Sequence, residues 1–290
     1  MKKTTILKQL LASKEILVAP GAHDALAAKI VEKVGFAAVY FTGYGQAASH
    51  LGGPDVGLMT MTEMVTRARN FAAAVGIPVI ADGDTGFGNA VNVMRTIREY
   101  EAAGVAAIQL EDQIAPKKCG HMTGRQVIAL DEMVGKIKAA AAARQDQDFV
   151  IIARTDARTS LGIEEALRRG KAFAAAGADV LFIESPESLD EMRLITSSFD
   201  IPVLANMVEG GRTPLMTVKE LEALGYGLVI FPTSSTYITA QAVIRVMQEL
   251  KATGTTQGLV GDMIPFQQFN ELVGLPAVRD IENQYLPPQK

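Results

Sequence analysis

Short apolar segments recur along the chain, and between them apolar residues return every three or four positions. The short segments are nearly continuous and rich in Val and Ile, which is typical of parallel strands buried on both faces. The stretches between them, such as 90–103, 163–176 and 189–198, have the spacing of amphipathic helices. The pattern predicts eight strands, at residues 16–19, 38–41, 79–81, 106–110, 149–153, 180–183, 203–205 and 228–231.

Eight strand–helix repeats in a chain of 290 residues predict an α/β fold, a (β/α)8 TIM barrel. A doubly wound open sheet is the alternative, and we prefer the barrel because eight strands can close without an exposed edge. We expect the barrel domain to cover residues 1–254 and a C-terminal helical extension, with a helical pattern at 265–271, to cover residues 255–290. Glycines after helical stretches predict left-handed helix ends at Gly35, Gly76, Gly104 and Gly177.

Composition and charge argue against several classes of protein. The net charge of −4 argues against nucleic-acid binding, which needs concentrated Lys and Arg, although a few local cations can still serve an anionic substrate. No apolar stretch is long enough to span a membrane, and Lys8, Lys14 and Glu15 interrupt the N-terminal apolar stretch, unlike in a signal peptide. The single cysteine excludes an intrachain disulfide. We therefore expect a cytoplasmic protein without membrane or nucleic-acid partners.

Polar residues collect at the carboxyl ends of the predicted strands, where a (β/α)8 barrel places its active site. Each one alone is also typical of a loop cap or a turn. Because they recur after seven consecutive strands, we expect them to converge on one pocket. They are Thr42, Gly43 and Tyr44 after the second strand, followed by Asp82, Asp84, Glu111, Arg154, Glu184, Asn206 and Thr233 after the later strands.

Three carboxylates in this set, Asp82, Asp84 and Glu111, follow two neighbouring strands. Three carboxylates in one pocket repel each other unless they are protonated or bind a cation. Oxygen ligands without Cys or His partners favour Mg2+ or Mn2+ over Zn2+. The alternative is that Asp82 or Asp84 forms a purely structural pair with Arg154.

The lone cysteine, Cys119, lies in the long segment 112–130 between the fourth strand and its helix. Long ordered loops in compact barrels are usually functional. A lone Cys is most often a small buried hydrophobic residue, but Lys117, Lys118 and His121 surround this one, and neighbouring cations lower a thiol pKa. These neighbours favour a catalytic thiol.

The turn at 42–44 offers glycine and successive amide N–H groups, which can hold a carboxylate, although this signal is weak alone. Gly43, Gly45 and Ala48 also loosely match a dinucleotide fingerprint. That interpretation needs an acidic residue at the end of the next strand, whereas Glu63 lies in a helical pattern. We therefore set the dinucleotide interpretation aside.

Together these motifs resemble the isocitrate lyase/phosphoenolpyruvate mutase superfamily, over residues 7–275. The resemblance rests on DGDTGFG at 82–88, EDQ at 111–113, KKCGH at 117–121, RTDA at 154–157 and NMVE at 206–209. The KKCGH string resembles the lyase branch in particular, because mutase and phosphonopyruvate hydrolase members lack that Cys.

The resemblance implies a carbon–carbon lyase that depends on Mg2+, with Mn2+ as a possible substitute. It implies that Asp82 and Asp84 hold the metal ion and that Glu111 reaches it through water. It further implies that Cys119 is the general acid on a lid and that Arg154 stabilises developing charge or a second carboxylate. Glu184 is expected to be catalytic, and the residues expected to bind substrate are Thr42, Gly43, Tyr44, Lys117, Gly120, His121, Asn206 and Thr233.

The implied reaction removes the proton of a 2-hydroxyl group, breaks a C–C bond and protonates the second fragment from the thiol. We expect Tyr40 to be the base, with Glu184 and a metal-bound water as alternatives. Methylisocitrate lyases align an Arg where this chain has Phe269, which favours a methylated dicarboxylate, 2,3-dimethylmalate, as substrate, giving pyruvate and propanoate. The alternatives are 2-methylisocitrate, giving pyruvate and succinate, and hydrolysis or decarboxylation of oxaloacetate.

Other classes remain as alternatives. A carboxyphosphonoenolpyruvate mutase needs no carbon acid such as Cys119, and a Schiff-base aldolase needs a strand Lys that none of the eight predicted strands contains. A non-catalytic binding protein would leave the metal and acid positions without a role. The resemblance also implies a homotetramer in which C-terminal helices are exchanged between subunits.

Overall fold

A computed structural model describes residues 1–120, 122 and 124–286. All neighbouring strands of its single sheet are parallel, and the described residues close the sheet through a parallel bridge between Leu181 and Val203. The strands are β1 (Leu17–Ala22), β2 (Val39–Phe41), β3 (Val79–Asp82), β4 (Ala107–Glu111), β5 (Val150–Thr155), β6 (Val180–Ile183), β7 (Leu204–Asn206) and β8 (Leu228–Phe231). Their order is β6-β5-β4-β3-β2-β1-β8-β7, so the predicted (β/α)8 barrel is confirmed.

Helices follow the strands on the outside of the barrel. A π-helix at Ala47–Leu51 and a 3-10 helix at Gln257–Asp262 complete the helical segments. The α-helices are α1 (Lys3–Leu11), α2 (Ala25–Val34), α3 (Gly43–Gln46), α4 (Met61–Ala74), α5 (Ala90–Ala102), α6 (Leu130–Ala143), α7 (Ala157–Leu161), α8 (Ile163–Ala175), α9 (Leu189–Ser197), α10 (Val218–Ala223), α11 (Ser234–Thr253), α12 (Phe266–Leu272) and α13 (Leu275–Tyr285).

The strands are apolar on both faces because the barrel wall separates two cores. Successive side chains of a strand point to opposite faces, so alternate residues enter the barrel. The interior core includes Tyr40, Ile80, Ile152 and Phe182. The outer core packs the strands against the helices, with Phe41 and Phe71 edge to face at a centroid distance of 4.8 Å. This packing fixes the strand ends that carry the polar residues.

The predicted strands agree with the structure to within three residues at every end. The largest difference is at β1, which continues to Ala22, because Pro20 pairs in register with β8 and Gly21 with β2. The prediction that Gly76 ends a helix in the left-handed conformation is wrong. Helix α4 ends at Ala74, the next residue, Val75, is extended, and the amide of Gly76 donates to Glu32.

The chain divides into two compact units, residues 1–235 and residues 236–290, and the division falls within α11. The first unit contains the whole barrel sheet. In the second, helices α12 and α13 and a 3-10 turn leave most apolar side chains exposed, and only Leu259 of its described residues is buried. Among the described residues, no helix combines the length and apolarity that a membrane crossing requires.

Candidate active site

A layer of buried polar side chains lies at the carboxyl ends of the barrel strands. Strand alternation places each of them two residues beyond an inward-facing residue of the strand. Each is at most 9% exposed, although charged residues are rarely buried without partners. The layer consists of Asp82, Glu111, Arg154, Glu184 and Asn206. The structure therefore brings together five residues that the sequence predicted at one pocket.

The loop after β3 holds two of the carboxylates in a fixed arrangement. The amides of Gly43 and Asp84 donate to the two carboxylate oxygens of Asp82, over 3.2 and 3.0 Å. Asp84 has a positive φ of 47°, a conformation that non-glycine residues rarely adopt outside functional or strongly constrained sites. A side chain at Gly83 would overlap Ile108, so only glycine fits between these two aspartates. The amide of Gly43, predicted to help bind a substrate carboxylate, therefore donates to the carboxylate of Asp82 in this structure.

Lys117 lies between two aspartates at the edge of this loop. Its Nζ is 2.6 Å from Oδ1 of Asp55 and 2.8 Å from Oδ1 of Asp84. Burial acts to lower the Lys117 pKa, but the carboxylates outweigh it and the pKa is raised. Burial and the neighbouring Asp82 and Asp55 outweigh Lys117 at Asp84, whose pKa is raised to about 6. One ammonium therefore does not neutralise the three aspartates around it.

Arg154 forms its ion pairs with carboxylates other than Asp82 and Asp84, the two for which the sequence allowed a structural pair. Its Nε and Nη2 donate to Asp156 at 2.9 and 3.0 Å. Its Nη2 is 3.1 Å from Glu184, and its Nε is 3.4 Å from Glu111. The guanidinium also lies over the ring of Phe182, 4.8 Å from its centroid. Burial acts to lower the pKa of Arg154, but Asp156 and Glu184 outweigh it and raise the pKa, which keeps the cation charged.

The segment that carries Cys119 lies against the polar layer. The Cys119 amide donates to the backbone oxygen of Asp55 over 3.0 Å. The side chain of Gln113 holds the backbone of Lys118 from both sides, at 2.8 and 2.9 Å. A side chain at Gly120 would overlap the guanidinium of Arg154 and the carboxylate of Glu184. The KKCGH string is thus in contact with the pocket through its glycine, while His121 lies outside the described residues.

The donor set fits a hard divalent cation, although the described residues do not form a ready cluster of three metal-binding side chains. Glu111 is 2% exposed, and no partner for its Oε1 is present among the described residues. Burial raises the Glu111 pKa well above its usual value despite Arg154 nearby. An unpaired buried acceptor beside aspartates with excess negative charge is relieved by a bound cation.

Tyr40 lies directly beneath the polar layer, and its hydroxyl donates to Oε1 of Gln109 over 3.1 Å. Burial, with Asp82 as the next cause, raises the Tyr40 pKa well above its usual value. The phenol is therefore held in its protonated form, which disfavours a role as base. Glu184, in contrast, accepts from Nδ2 of Asn206 over 3.1 Å and lies 3.1 Å from Nη2 of Arg154.

The remaining predicted residues lie at the barrel mouth with mainly local partners. Thr42 caps α3 by accepting from the amide of Gly45 over 3.4 Å, and Tyr44 is half-buried. Thr233 is 4% exposed and donates to Glu209 over 2.7 Å. Contact of these residues with substrate stays a prediction.

Sequence reasoning missed the residues that hold the site together. Asp55 lies in a loop without periodic pattern, and Gln109 lies inside an apolar strand. Arg125 and Asp156 pair across 31 residues, a distance at which spacing along the chain gives no signal. Asp156 belongs to the RTDA motif at 154–157, but the motif did not assign a role to it.

The chain matches known proteins over nearly its whole length. The family described as phosphoenolpyruvate phosphomutase matches residues 7–251. A 2,3-dimethylmalate lyase of Eubacterium barkeri is 58% identical over 285 residues, which cover 98% of this chain and 99% of that protein. A 2-methylisocitrate lyase of Halalkalibacterium halodurans is 42% identical over 92% of this chain and 88% of that protein.

Solved structures agree with the fold and with the same group of enzymes. An oxaloacetate acetylhydrolase in complex with 3,3-difluorooxalacetate superposes with a TM-score of 0.94 at 36% identity, covering 100% of this chain and 99% of that one. A 2,3-dimethylmalate lyase superposes with a TM-score of 0.93 at 37% identity, covering 98% and 95%. A phosphonopyruvate hydrolase in complex with oxalate and Mg2+ reaches 0.90 at 34% identity, covering 99% and 100%.

Proposed function

The chain belongs to the phosphoenolpyruvate mutase/isocitrate lyase superfamily, and on that premise we propose that it is a lyase that cleaves 2,3-dimethylmalate to pyruvate and propanoate. The observation that carries the proposal is the 58% identity to a 2,3-dimethylmalate lyase over nearly the full length of both chains. The KKCGH segment against the pocket, with the only cysteine of the chain as a candidate carbon acid, supports a lyase rather than a mutase.

We propose Mg2+ as the cofactor, with Mn2+ as a substitute, held by Asp82, Asp84 and Glu111. The excess of carboxylates over Lys117 and the unpaired Oε1 of Glu111 support this assignment. When bound, the metal acts as a Lewis acid on the oxygen atoms of the 2-hydroxy acid. Lys117 stays paired with Asp55 in this scheme and keeps the segment before Cys119 at the pocket edge.

The chain's own groups then serve the two fragments. Arg154 is the buried cation that faces charge on the carboxylate fragment as the C–C bond breaks. Cys119, on the segment that covers the pocket as a lid, donates a proton to the carbon of that fragment. Thr42, Gly43 and Tyr44, with Asn206 and Thr233, bind the substrate carboxylates and hydroxyl at the strand ends. Gly120 and His121 complete the contact from the lid.

We propose Glu184 rather than Tyr40 as the base for the 2-hydroxyl proton. The raised pKa of Tyr40, caused first by burial, keeps its phenol protonated near neutral pH. Tyr40 then acts as a donor to Gln109 at the pocket floor. Glu184 is a fully buried carboxylate between Arg154 and Asn206, within the same layer as the proposed metal ligands.

The second candidate substrate is 2-methylisocitrate, which the 42% identity to a 2-methylisocitrate lyase favours. A tricarboxylate needs one more cation than a dicarboxylate. Phe269, in α12, supplies no charge at the aligned position, and this supports the methylated dicarboxylate.

The test is a substrate panel with purified protein and Mg2+, comprising 2,3-dimethylmalate, 2-methylisocitrate, isocitrate, 2-methylmalate and oxaloacetate. Pyruvate, glyoxylate and oxalate are quantified with and without EDTA. We expect EDTA-sensitive pyruvate formation with the highest kcat/KM for 2,3-dimethylmalate. A higher kcat/KM for 2-methylisocitrate would remove the argument from Phe269. Turnover of phosphonopyruvate, added to the panel as a sixth compound, with no cleavage of the other five would remove the lyase assignment.

We also propose a cytoplasmic homotetramer in which C-terminal helices of one subunit cover another. Helices α11, α12 and α13 bury none of their residues, although α11 directly follows β8. The outward-facing Val18 and Phe231 are only partly buried, at strands that a neighbouring helix usually covers. Light scattering coupled to size exclusion should give about four times the 30.9 kDa chain mass. A monomer would contradict the proposal.

A further inference from the structure

A buried ion-pair network joins Arg154 to the segment that carries Cys119, and both meet at Asp156. Asp156 is fully buried and accepts two hydrogen bonds from Arg154, at 2.9 and 3.0 Å. Its Oδ1 also accepts from Nη1 of Arg125. A buried carboxylate between two guanidinium groups stays ionised and has strong directional bonds to both. Asp156 therefore binds the Arg154 guanidinium through two of its nitrogen atoms.

The backbone beneath Asp156 is anchored independently of the pocket. The Asp156 amide donates to Oδ1 of Asp112 over 2.9 Å. The other oxygen of Asp112 accepts from the hydroxyl of Thr155 over 2.7 Å and from Arg169 of α8 over 2.9 Å. Asp156 is thus held from the outer side of the barrel, and its carboxylate has little freedom to follow Arg154.

Arg125 connects this anchor to the Cys119 segment. It lies six residues after Cys119 in the same connection between β4 and α6. Its Nη2 donates to the hydroxyl of Thr159 in α7 over 2.6 Å, and its Nε donates to the backbone oxygen of Met122 over 3.2 Å. The side chain of Arg125 is therefore fixed at both ends, with Asp156 as its charged partner.

We propose that Asp156 is a positioning residue for Arg154, and that Arg125 secures Asp156, so that the Cys119 segment and the pocket cation share one carboxylate. Glu184 and Glu111 also attract the guanidinium, at 3.1 and 3.4 Å. Asp156 binds Nε and Nη2 together and so keeps Arg154 from turning both nitrogen atoms onto Glu184. The inference rests on the proposed function in one respect, that Arg154 faces substrate charge.

A double-mutant cycle tests this positioning, with calorimetric binding of oxalate in the presence of Mg2+ as the measurement. Asp156→Asn should weaken oxalate binding about 10- to 100-fold, because it removes one partner of a buried charge pair. In an Arg154→Lys background, the same substitution should change binding by less than about 2-fold, because the group through which it acts is already altered. Equal losses in both backgrounds would overturn the proposal, since a general loss of packing acts in both.

A second, milder series covers the case in which Asp156→Asn does not fold. Arg125→Gln should weaken oxalate binding about 3- to 10-fold in the Arg154 protein and leave the Arg154→Lys protein unchanged. Thr159→Ala is the matched control, because it removes a bond of Arg125 without touching Asp156. Arg125→Lys, which keeps the charge, should restore part of the loss. A Thr159→Ala loss equal to that of Arg125→Gln would overturn the role of the Asp156 contact.

Failure of the proposed function is distinguishable from failure of this inference. Oxalate is not cleaved, so the cycle gives its result even if 2,3-dimethylmalate is not a substrate. If the unsubstituted protein binds no oxalate, the position of the Arg154 side chain in a crystal structure of the Asp156→Asn protein tests the inference instead. An Arg154 guanidinium that has left residue 156 and pairs with Glu184 through both Nε and Nη2 would support the positioning role, and an unmoved Arg154 would overturn it.

Discussion

Two adjacent layers of side chains inside the barrel have opposite polarity. The floor, defined by Ile80, Ile152 and Phe182, is apolar and closely packed. The mouth, two residues further along the strands, places Asp82, Glu111, Arg154, Glu184 and Asn206 in nearly complete burial. Burying charge costs stability unless each group is paired, and two atoms of the mouth, Oε1 of Glu111 and Oδ1 of Asn206, have no partner among the described residues. The difference indicates that the floor maintains the fold and the mouth is retained for its chemistry.

The largest effect is expected at Cys119, on the segment that lies against the mouth. Cys119→Ser should lower kcat about 1,000-fold, because a hydroxyl is a much weaker acid than a thiol and proton donation contributes about 10²–10⁴ in rate. The unfolding midpoint should change little, since Cys119 is only half-buried. Steady-state kinetics with 2,3-dimethylmalate, together with thermal unfolding, give both values. A serine variant with full activity would mean that another group protonates the product.

The matching change in the floor should act on stability instead. Ile152→Ala removes a fully buried side chain and should lower the free energy of unfolding by about 2–5 kcal/mol. Denaturant unfolding measures this loss, and kcat per folded molecule should stay within about 3-fold of the original value, because Ile152 belongs to the apolar floor. A loss of kcat as large as that of Cys119→Ser would erase the distinction between the layers.

A smaller effect should come from the contact between the Cys119 segment and the mouth. Gly120→Ala introduces a methyl group that overlaps Arg154 and Glu184, and it should lower kcat/KM about 30-fold through displacement of these groups. Gly135→Ala is the matched control, because the space around that residue in α6 is open. The control should match the original kcat/KM. A Gly120→Ala protein with unchanged kinetics would show that the segment does not lie on the pocket during turnover.

The smallest effect is a gain in stability at the mouth. Glu111→Gln, measured with EDTA present, should raise the free energy of unfolding by about 1 kcal/mol, because burial disfavours the charge on Glu111 more than Arg154 stabilises it. The same substitution should lower kcat in Mg2+. Chemical denaturation at pH 7 gives the comparison. A destabilised Glu111→Gln protein would indicate that Arg154 already compensates this carboxylate.

Sequence pattern predicted the barrel well because buried parallel strands produce continuous apolar segments. Strand ends were less certain, since Pro20 and Gly21 are typical of a break in a strand but pair with β8 and β2 in the structure. A helix end cannot be predicted from a glycine alone. Gly76 shows this, because the preceding residue, Val75, already leaves the helix in an extended conformation.

The positions of site residues at strand ends could be predicted from the sequence. The ion-pair partners that lie in loops far away along the chain could not. The five residues of the mouth come directly from strand periodicity. The partners Asp55 of Lys117 and Arg125 of Asp156 depend on how loops return to the barrel, which no local spacing encodes. The role of Tyr40 as base stays a prediction. The sequence could not show that burial raises the Tyr40 pKa or that its hydroxyl donates to Gln109, and both observations weigh against that role.

The most direct test of the lyase assignment is the reaction of 2,3-dimethylmalate with Mg2+ in D2O, followed by proton NMR. Cleavage between C2 and C3, followed by protonation of the propanoate fragment at its C2, predicts propanoate with one deuterium at C2. It also predicts pyruvate with an unlabelled methyl group at early times. The Cys119→Ser protein should form the propanoate far more slowly. The absence of both products with active-site metal present, or cleavage of oxaloacetate in their place, would contradict the proposed function.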